Sequence, residues 1–232
     1  FTLTATVIPG VSTSSPTIGV RGAKPTNNGF QLQCAKINLP AYRSSAPPLN
    51  LSTTCTIILV DRNNNPIGKG TTVQLLTEAG SITASVSTNP YTPTGSNEGR
   101  GTVPFSTMGV WPVQDVPPLA ANPTQYPFAL VAEPSRMDGA ITRNPRDALI
   151  TIIAYTDGEE WFAESNGNGV QDGAEQFHDQ GEPFVDKNDN DVWDPGEVYV
   201  DVDGNSAWTG PNGVWDAWAR CGRRRTSSTP TQ

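Results

Sequence analysis

Oxygen-bearing side chains recur at fixed spacing between Asp157 and Asp216. In one stretch they are Glu164, Asn166, Asn168, Asp172 and Glu175, at positions 1, 3, 5, 9 and 12 of a loop. Asp186, Asn188, Asn190, Asp194 and Glu197 repeat that spacing. A third stretch opens the same way with Asp201, Asp203 and Asn205, then carries Thr209 at position 9 and Asn212 at position 12. Val170 and Val192 occupy position 7, where such a loop offers a main-chain carbonyl. This is chemistry for a hard cation. Calcium takes six to eight oxygens at roughly 2.3–2.6 Å, and a tight loop with oxygens on alternate residues turns them inward. A donor set made only of oxygen argues against zinc or copper. The expected cofactor is Ca2+, two to three ions or more.

The spacing resembles the calcium loops of EF-hand and dockerin-like repeats, and the resemblance covers the loops alone. A helix pair around them is not expected, because Pro183 and Pro195 interrupt the connections, and Glu-Pro-Phe-Val-Asp and Glu-Val-Tyr-Val-Asp alternate like strands. Position 6 requires a left-handed backbone. Gly169 suits it best, Asp191 less well and Ser206 least, so the sites rank first, second, third.

The same region is an internal repeat. The unit Glu-x-aromatic-x-acid occurs at Glu160–Glu164, Glu175–Asp179, Glu182–Asp186 and Glu197–Asp201. The last acid of each unit opens the next loop, which adds Asp179 and Asp216 to the candidate ligands. The expected arrangement is a ladder of calcium loops joined by short extended segments over residues 157–218.

Charge supports a bound cation over a solvated acidic linker. Residues 157–216 hold 16 of the 23 acids and one of the 15 Lys and Arg, a balance of −15, while the remaining residues sum to +7. Such crowding is repulsive unless it is neutralised. A disordered acidic tail would lack aromatics, yet this region holds Trp161, Phe162, Phe177, Phe184, Trp193, Tyr199, Trp208 and Trp215.

The elements that must position these loops read as all-β. Gly and Pro total 43 residues, 22 and 21, and charged residues are 16% of the chain. Strands are expected at Phe30–Ile37, Thr53–Val60, Thr71–Thr77, Ser81–Ser87, Gly101–Thr107, Pro127–Glu133 and Ala148–Tyr155, the last being central because it is the most apolar. Residues 1–28 read as an arm with one strand and a polar linker, and residues 219–232 as a basic polar tail. Cys34 and Cys55 lie on the more apolar faces of their strands, where a disulfide is expected, and Cys221 is left over. No run of 18 apolar residues exists, so no helical membrane span is expected.

The stretch Cys55-Thr-Ile-Ile-Leu-Val-Asp61-Arg-Asn-Asn-Asn65-Pro66, followed by Glu78-Ala-Gly80 and Gly101-Thr-Val-Pro-Phe105, resembles bacterial Ig-like domains of the invasin and intimin type. Asn64 stands where that family commonly has Gly. The resemblance covers roughly residues 50–155. It implies a β-sandwich over residues 29–156 in a secreted or surface protein, and no catalytic residues.

Enzyme readings find little to build on. His178 is the only histidine, and no phosphate-cradling glycine loop precedes a helix. A net charge of −8 disfavours nucleic acid. Two classes remain, both extracellular or at a bacterial cell surface. One is a calcium-stabilised structural protein, a surface or filament subunit that forms homo-oligomers through the N-terminal strand. The other is a calcium-dependent adhesin with a surface ligand of unknown identity.

Overall fold

The computed structural model describes residues 3–8, 11–15, 21–22, 24–39, 51–110, 116–118, 120–121, 131–144, 146, 149–217 and 219–228. No helix occurs among them, and all pairings between strands are antiparallel. The hairpin strands are β1 (Thr4–Ile8) and β2 (Val11–Ser14). The body strands are β3 (Phe30–Cys34), β4 (Ser52–Leu59), β5 (Thr72–Thr77), β6 (Gly80–Ile82), β7 (Ser85–Ser87) and β8 (Arg100–Val110). A small hairpin follows, β9 (Arg136–Asp138) with β10 (Ile141–Arg143), and then β11 (Leu149–Gly158) and β12 (Ala219–Ser228). One four-stranded sheet runs β3-β4-β8-β6 and the other β12-β11-β5-β7.

Both sheets feed one apolar core. Alternation in β3 and β4 buries Phe30, Leu32, Cys55, Ile57 and Leu59, and β5, β8 and β11 add Val73, Leu75, Val103, Phe105, Ile150 and Ile152. Each fully buried aliphatic side chain stabilises by roughly 1.5–3 kcal/mol before entropy is counted. Cys34 and Cys55 face each other in the β3–β4 ladder and form a disulfide.

β11 does not alternate, because both of its faces are covered. Ile150, Ile152 and Ala154 enter the main core, while Ile153 turns outward with Leu76 and Tyr155 into a second cluster closed by Val185, Val200 and Val202. Those three valines come from the acidic repeat. The continuous apolar run of this strand therefore reports a strand sandwiched between a core and the repeat.

Among the body residues that hydrogen-bond the repeat, four reach its loops and bridging segments as follows. Buried Asn27 donates to the carbonyl of His178 (2.8 Å) and accepts from the Trp161 amide (2.9 Å). Arg62, in the turn after β4, donates to the carbonyl of Gly169 (3.1 Å) and lies over the Phe162 ring at 4.5 Å. The Thr151 hydroxyl donates to the carbonyl of Asp186 (2.8 Å). Buried Arg146 donates to the carbonyls of Asn188, Asp189 (2.9 Å) and Pro117 (2.9 Å), and to Glu133 (3.1 Å).

Several expectations are corrected. Residues 219–228 are not a tail: they form β12, paired with β11 from Leu149↔Ser228 to Gly158↔Ala219. Their runs of Arg, Ser and Thr carry no apolar alternation, so only the tertiary ladder reveals the strand. Ser81–Ser87 divides into β6, which pairs with β8, and β7, which pairs with β5. The chain changes sheet between them while the alternation runs on, so periodicity hides the break. Residues 131–133 are not a strand, and the rest of Pro127–Glu133 lies outside the described residues. The N-terminal segment has two strands that pair with each other rather than one, and residues 24–28 pack on the body, with Thr26 bridged to Glu159.

Two outcomes test this architecture. Reduction of the Cys34–Cys55 link should cost about 3 kcal/mol, from the closed loop of 21 residues, read by thermal melting with and without reductant. Arg146→Met should cost about 2–3 kcal/mol by leaving three carbonyls unpartnered, with faster amide exchange confined to the loop around Asn188.

Candidate metal centre

The repeat builds four loops of one geometry, and only two are continuous in sequence. In the first, the Glu164 carboxylate at position 1 accepts from the amides of Gly167 (2.8 Å) and Gly169 (2.7 Å). Asn168 at position 5 accepts from the Val170 amide at 2.7 Å. The buried Glu175 carboxylate closes the loop: Oε1 accepts from the Ser165 amide (2.7 Å) and Oε2 from the Asp172 amide (3.1 Å). The amide groups of Asn166 and Asn168 converge on one oxygen of Asp172, so positions 3, 5 and 9 point at a common centre.

The second loop repeats most of this pattern. Asp186 accepts from Asp191 (2.8 Å), Asn190 from Val192 (2.8 Å), and Asn188 and Asn190 converge on Asp194. Buried Glu197 accepts from Lys187 (2.7 Å) and Asp194 (3.0 Å). Asn188 Oδ1 is shielded from solvent and has no hydrogen-bond partner. An acceptor in that state calls for a hydrogen-bond donor or a cation, and a cation at the loop centre would supply it.

In the third loop Asp201 accepts from Gly204 (2.7 Å) and Ser206 (3.0 Å), and Asn205 from Ala207 (2.6 Å). Its closing group is not Asn212. Glu182, upstream of the whole loop, accepts from Val202 at position 2 and from Thr209 at position 9 (3.0 Å). The carboxylate oxygens of Glu182, Asp201 and Asp203 lie within 4.8 Å of one another.

The fourth loop is assembled from three segments. Asp179 plays position 1, accepting from Asn212 (3.2 Å) and Gly213. Asn212 plays position 5 and accepts from Val214 at 2.7 Å. Buried Glu160 closes the loop, accepting from Gln180 (2.7 Å) and from Asp216 at position 9 (3.0 Å).

Three further features recur in all four loops. Position 6 is left-handed at Gly169 (φ 80°), Asp191 (63°), Ser206 (62°) and Gly213 (76°). The amides of Glu175, Glu197, Glu182 and Glu160 donate to the position-9 carbonyls of Asp172, Asp194, Thr209 and Asp216. The side chains at position 8, Gln171, Trp193, Trp208 and Trp215, donate to the carbonyls of those same glutamates. The three indoles pack edge-on against Tyr199, Phe184 and Phe162, each two residues after a closing glutamate.

The loops therefore come in two interlocked pairs. The segments Glu160–Glu164 and Glu175–Asp179 bridge at Phe162↔Phe177, and Glu182–Asp186 and Glu197–Asp201 bridge at Phe184↔Tyr199. Each segment begins with the closing glutamate of one loop and ends with the opening acid of its partner. Sequence reading assigned the last acid of each unit and missed Glu160 and Glu182, although their place at the head of the unit matches Glu175 and Glu197. Asn212 moves from position 12 of the third loop to position 5 of the fourth.

Each loop carries three acids, namely Glu164, Asp172 and Glu175; Asp186, Asp194 and Glu197; Asp201, Asp203 and Glu182; Asp179, Asp216 and Glu160, but among the described residues only Glu182, Asp201 and Asp203 bring three carboxylates within 4.8 Å of one another. The third loop has Thr209 at position 9 but Asp203 at position 3, so the count is kept. Burial pushes the Glu160 and Glu197 carboxyls above their ordinary range, with neighbouring Asp groups adding to it. Glu175 is held below its range by the amides of Asp172 and Ser165, helped by Arg62. No protein family, curated protein or solved structure matches this chain.

Proposed function

We propose that this protein is a calcium-stabilised extracellular structural protein, a cell-surface or filament subunit, in which four ions hold the repeat against an Ig-like β-sandwich. The observation that carries the reading is the fourfold loop geometry, built twice from continuous chain and twice from separated segments. Matching hydrogen bonds in loops of different connectivity point to one shared requirement, and a divalent ion at the common centre satisfies it. Three carboxylates with amide, hydroxyl and main-chain oxygens form a hard donor set suited to calcium.

Structural use follows from what the loops hold. Ions at these centres would neutralise the crowded carboxylates and keep Val185, Val200 and Val202 over the outer face of β11. The Cys34–Cys55 link supports an oxidising compartment outside the cytosol. Calcium at millimolar level outside the cell suits loops of this type.

Native mass spectrometry tests the reading directly. The full chain should carry four calcium ions, and each of Glu160→Gln, Glu175→Gln, Glu182→Gln and Glu197→Gln should lose one. Retention of all four ions in Glu182→Gln and Glu160→Gln would refute the split sites. Hydrogen exchange gives a second check. Chelator should expose amides 160–216 while β3, β4 and β8 stay protected; unchanged protection would sink the calcium reading.

A further inference from the structure

We propose that the cavity beside Trp193 and Trp208 receives a lysine or arginine side chain from a second copy of this chain. The inference rests on the calcium reading, because the ions would hold the loops that form the cavity. It has a volume of about 490 Å3 and lies between the second, third and fourth loops over Ile153 of β11. Phe184, Trp193 and Trp208 provide its apolar walls, and Asp179, Glu182 and Asp191 its acids. Among the described residues, its lining contains no Lys, Arg or His.

The two indoles stack at 5.4 Å between centroids with 10° between planes. Their N–H groups are already given to the carbonyls of Glu197 and Glu182. What they offer a ligand is therefore ring surface, which attracts a cation through its quadrupole and an aliphatic stem by contact. Calcium does not cancel the acidity of the cavity. Glu182, Asp201 and Asp203 around a doubly charged ion would leave one negative charge at the third loop, and Asp191 belongs to none of the four acid sets.

Charge complementarity points to a second copy as the donor. Residues outside 157–216 hold 14 Lys and Arg against seven acids, so the basic body of one molecule matches the acidic repeat of another. Contact between two different surfaces of identical molecules is head-to-tail, and it propagates as a filament where the rotation does not close into a ring. That outcome fits a filament or surface-layer subunit.

Sedimentation velocity of the calcium-loaded full chain, read together with tryptophan emission, tests the proposal. Two variants remove no candidate ligand atom, since Asp191 stands at position 6 and Val192 offers only its main-chain carbonyl at position 7, and native mass spectra of both should still show four ions. Asp191→Asn removes a charge while keeping a residue that tolerates φ 63°, and Val192→Lys places a cation on a side chain that is 43% exposed. The wild type should associate at low salt and dissociate at about 0.5 M salt. Asp191→Asn should weaken association about threefold and Val192→Lys about tenfold or more. Acetyl-lysine methylamide should compete and shift the emission. A monomer at every salt concentration, association unchanged by Val192→Lys, or indole quenching by a neutral oligosaccharide but not by acetyl-lysine methylamide would overturn it. Native mass spectra of the same samples separate the two readings. Four ions without association sinks only this inference, whereas association that persists with no ions bound sinks only the calcium reading.

Discussion

A buried glutamate carboxylate shared between two main-chain amides is the interaction on which the acidic half of this protein depends. One oxygen takes the amide at position 2 and the other the amide at position 9, so each carboxylate ties the start of a loop to its end. A charge in that position is costly without compensation, since burial disfavours the ionised form. Two amides offset part of the cost. At Glu160 and Glu197 burial and the neighbouring Asp groups outweigh the amides, whereas at Glu175 the amides win. Under the proposed calcium reading a cation would offset the remaining cost, and for that reason these four groups carry the functional argument more than any exposed aspartate does.

The interlocked pairs follow from chain direction. Two short extended segments run antiparallel and bridge at one residue pair, so the closing acid of one loop and the opening acid of the other sit at opposite ends of the same five residues. Neither loop of a pair has both its opening acid and its closing glutamate without the two segments that the pair shares. The body enters through few contacts of high consequence. Asn27 and Arg62 meet the first and fourth loops, while Thr151, Arg146 and the outer face of β11 meet the second and third. In this arrangement the repeat covers the outer face of β11, which is why that strand is apolar on both sides.

Local pattern was enough for much of this protein. The absence of helical periodicity and the alternation around Phe30, Cys55 and Val73 determined an all-β body, and the two apolar faces bearing Cys34 and Cys55 led to the disulfide. Oxygen spacing marked the loops at Glu164 and Asp186 because all their ligands come from twelve consecutive residues. Only the tertiary structure decided the other two. The spacing from Asp201 leads to Asn212, but Glu182 closes that loop, and Asp179, Asn212, Asp216 and Glu160 meet only after the chain has crossed the repeat and returned. The same limit hid β12, whose place is seen in its backbone pairing with β11, and hid the change of sheet between β6 and β7. A contact within one turn or one strand leaves a period in the sequence. A ligand or partner brought from a distant segment leaves none, because the geometry that selects it exists only once both segments are folded.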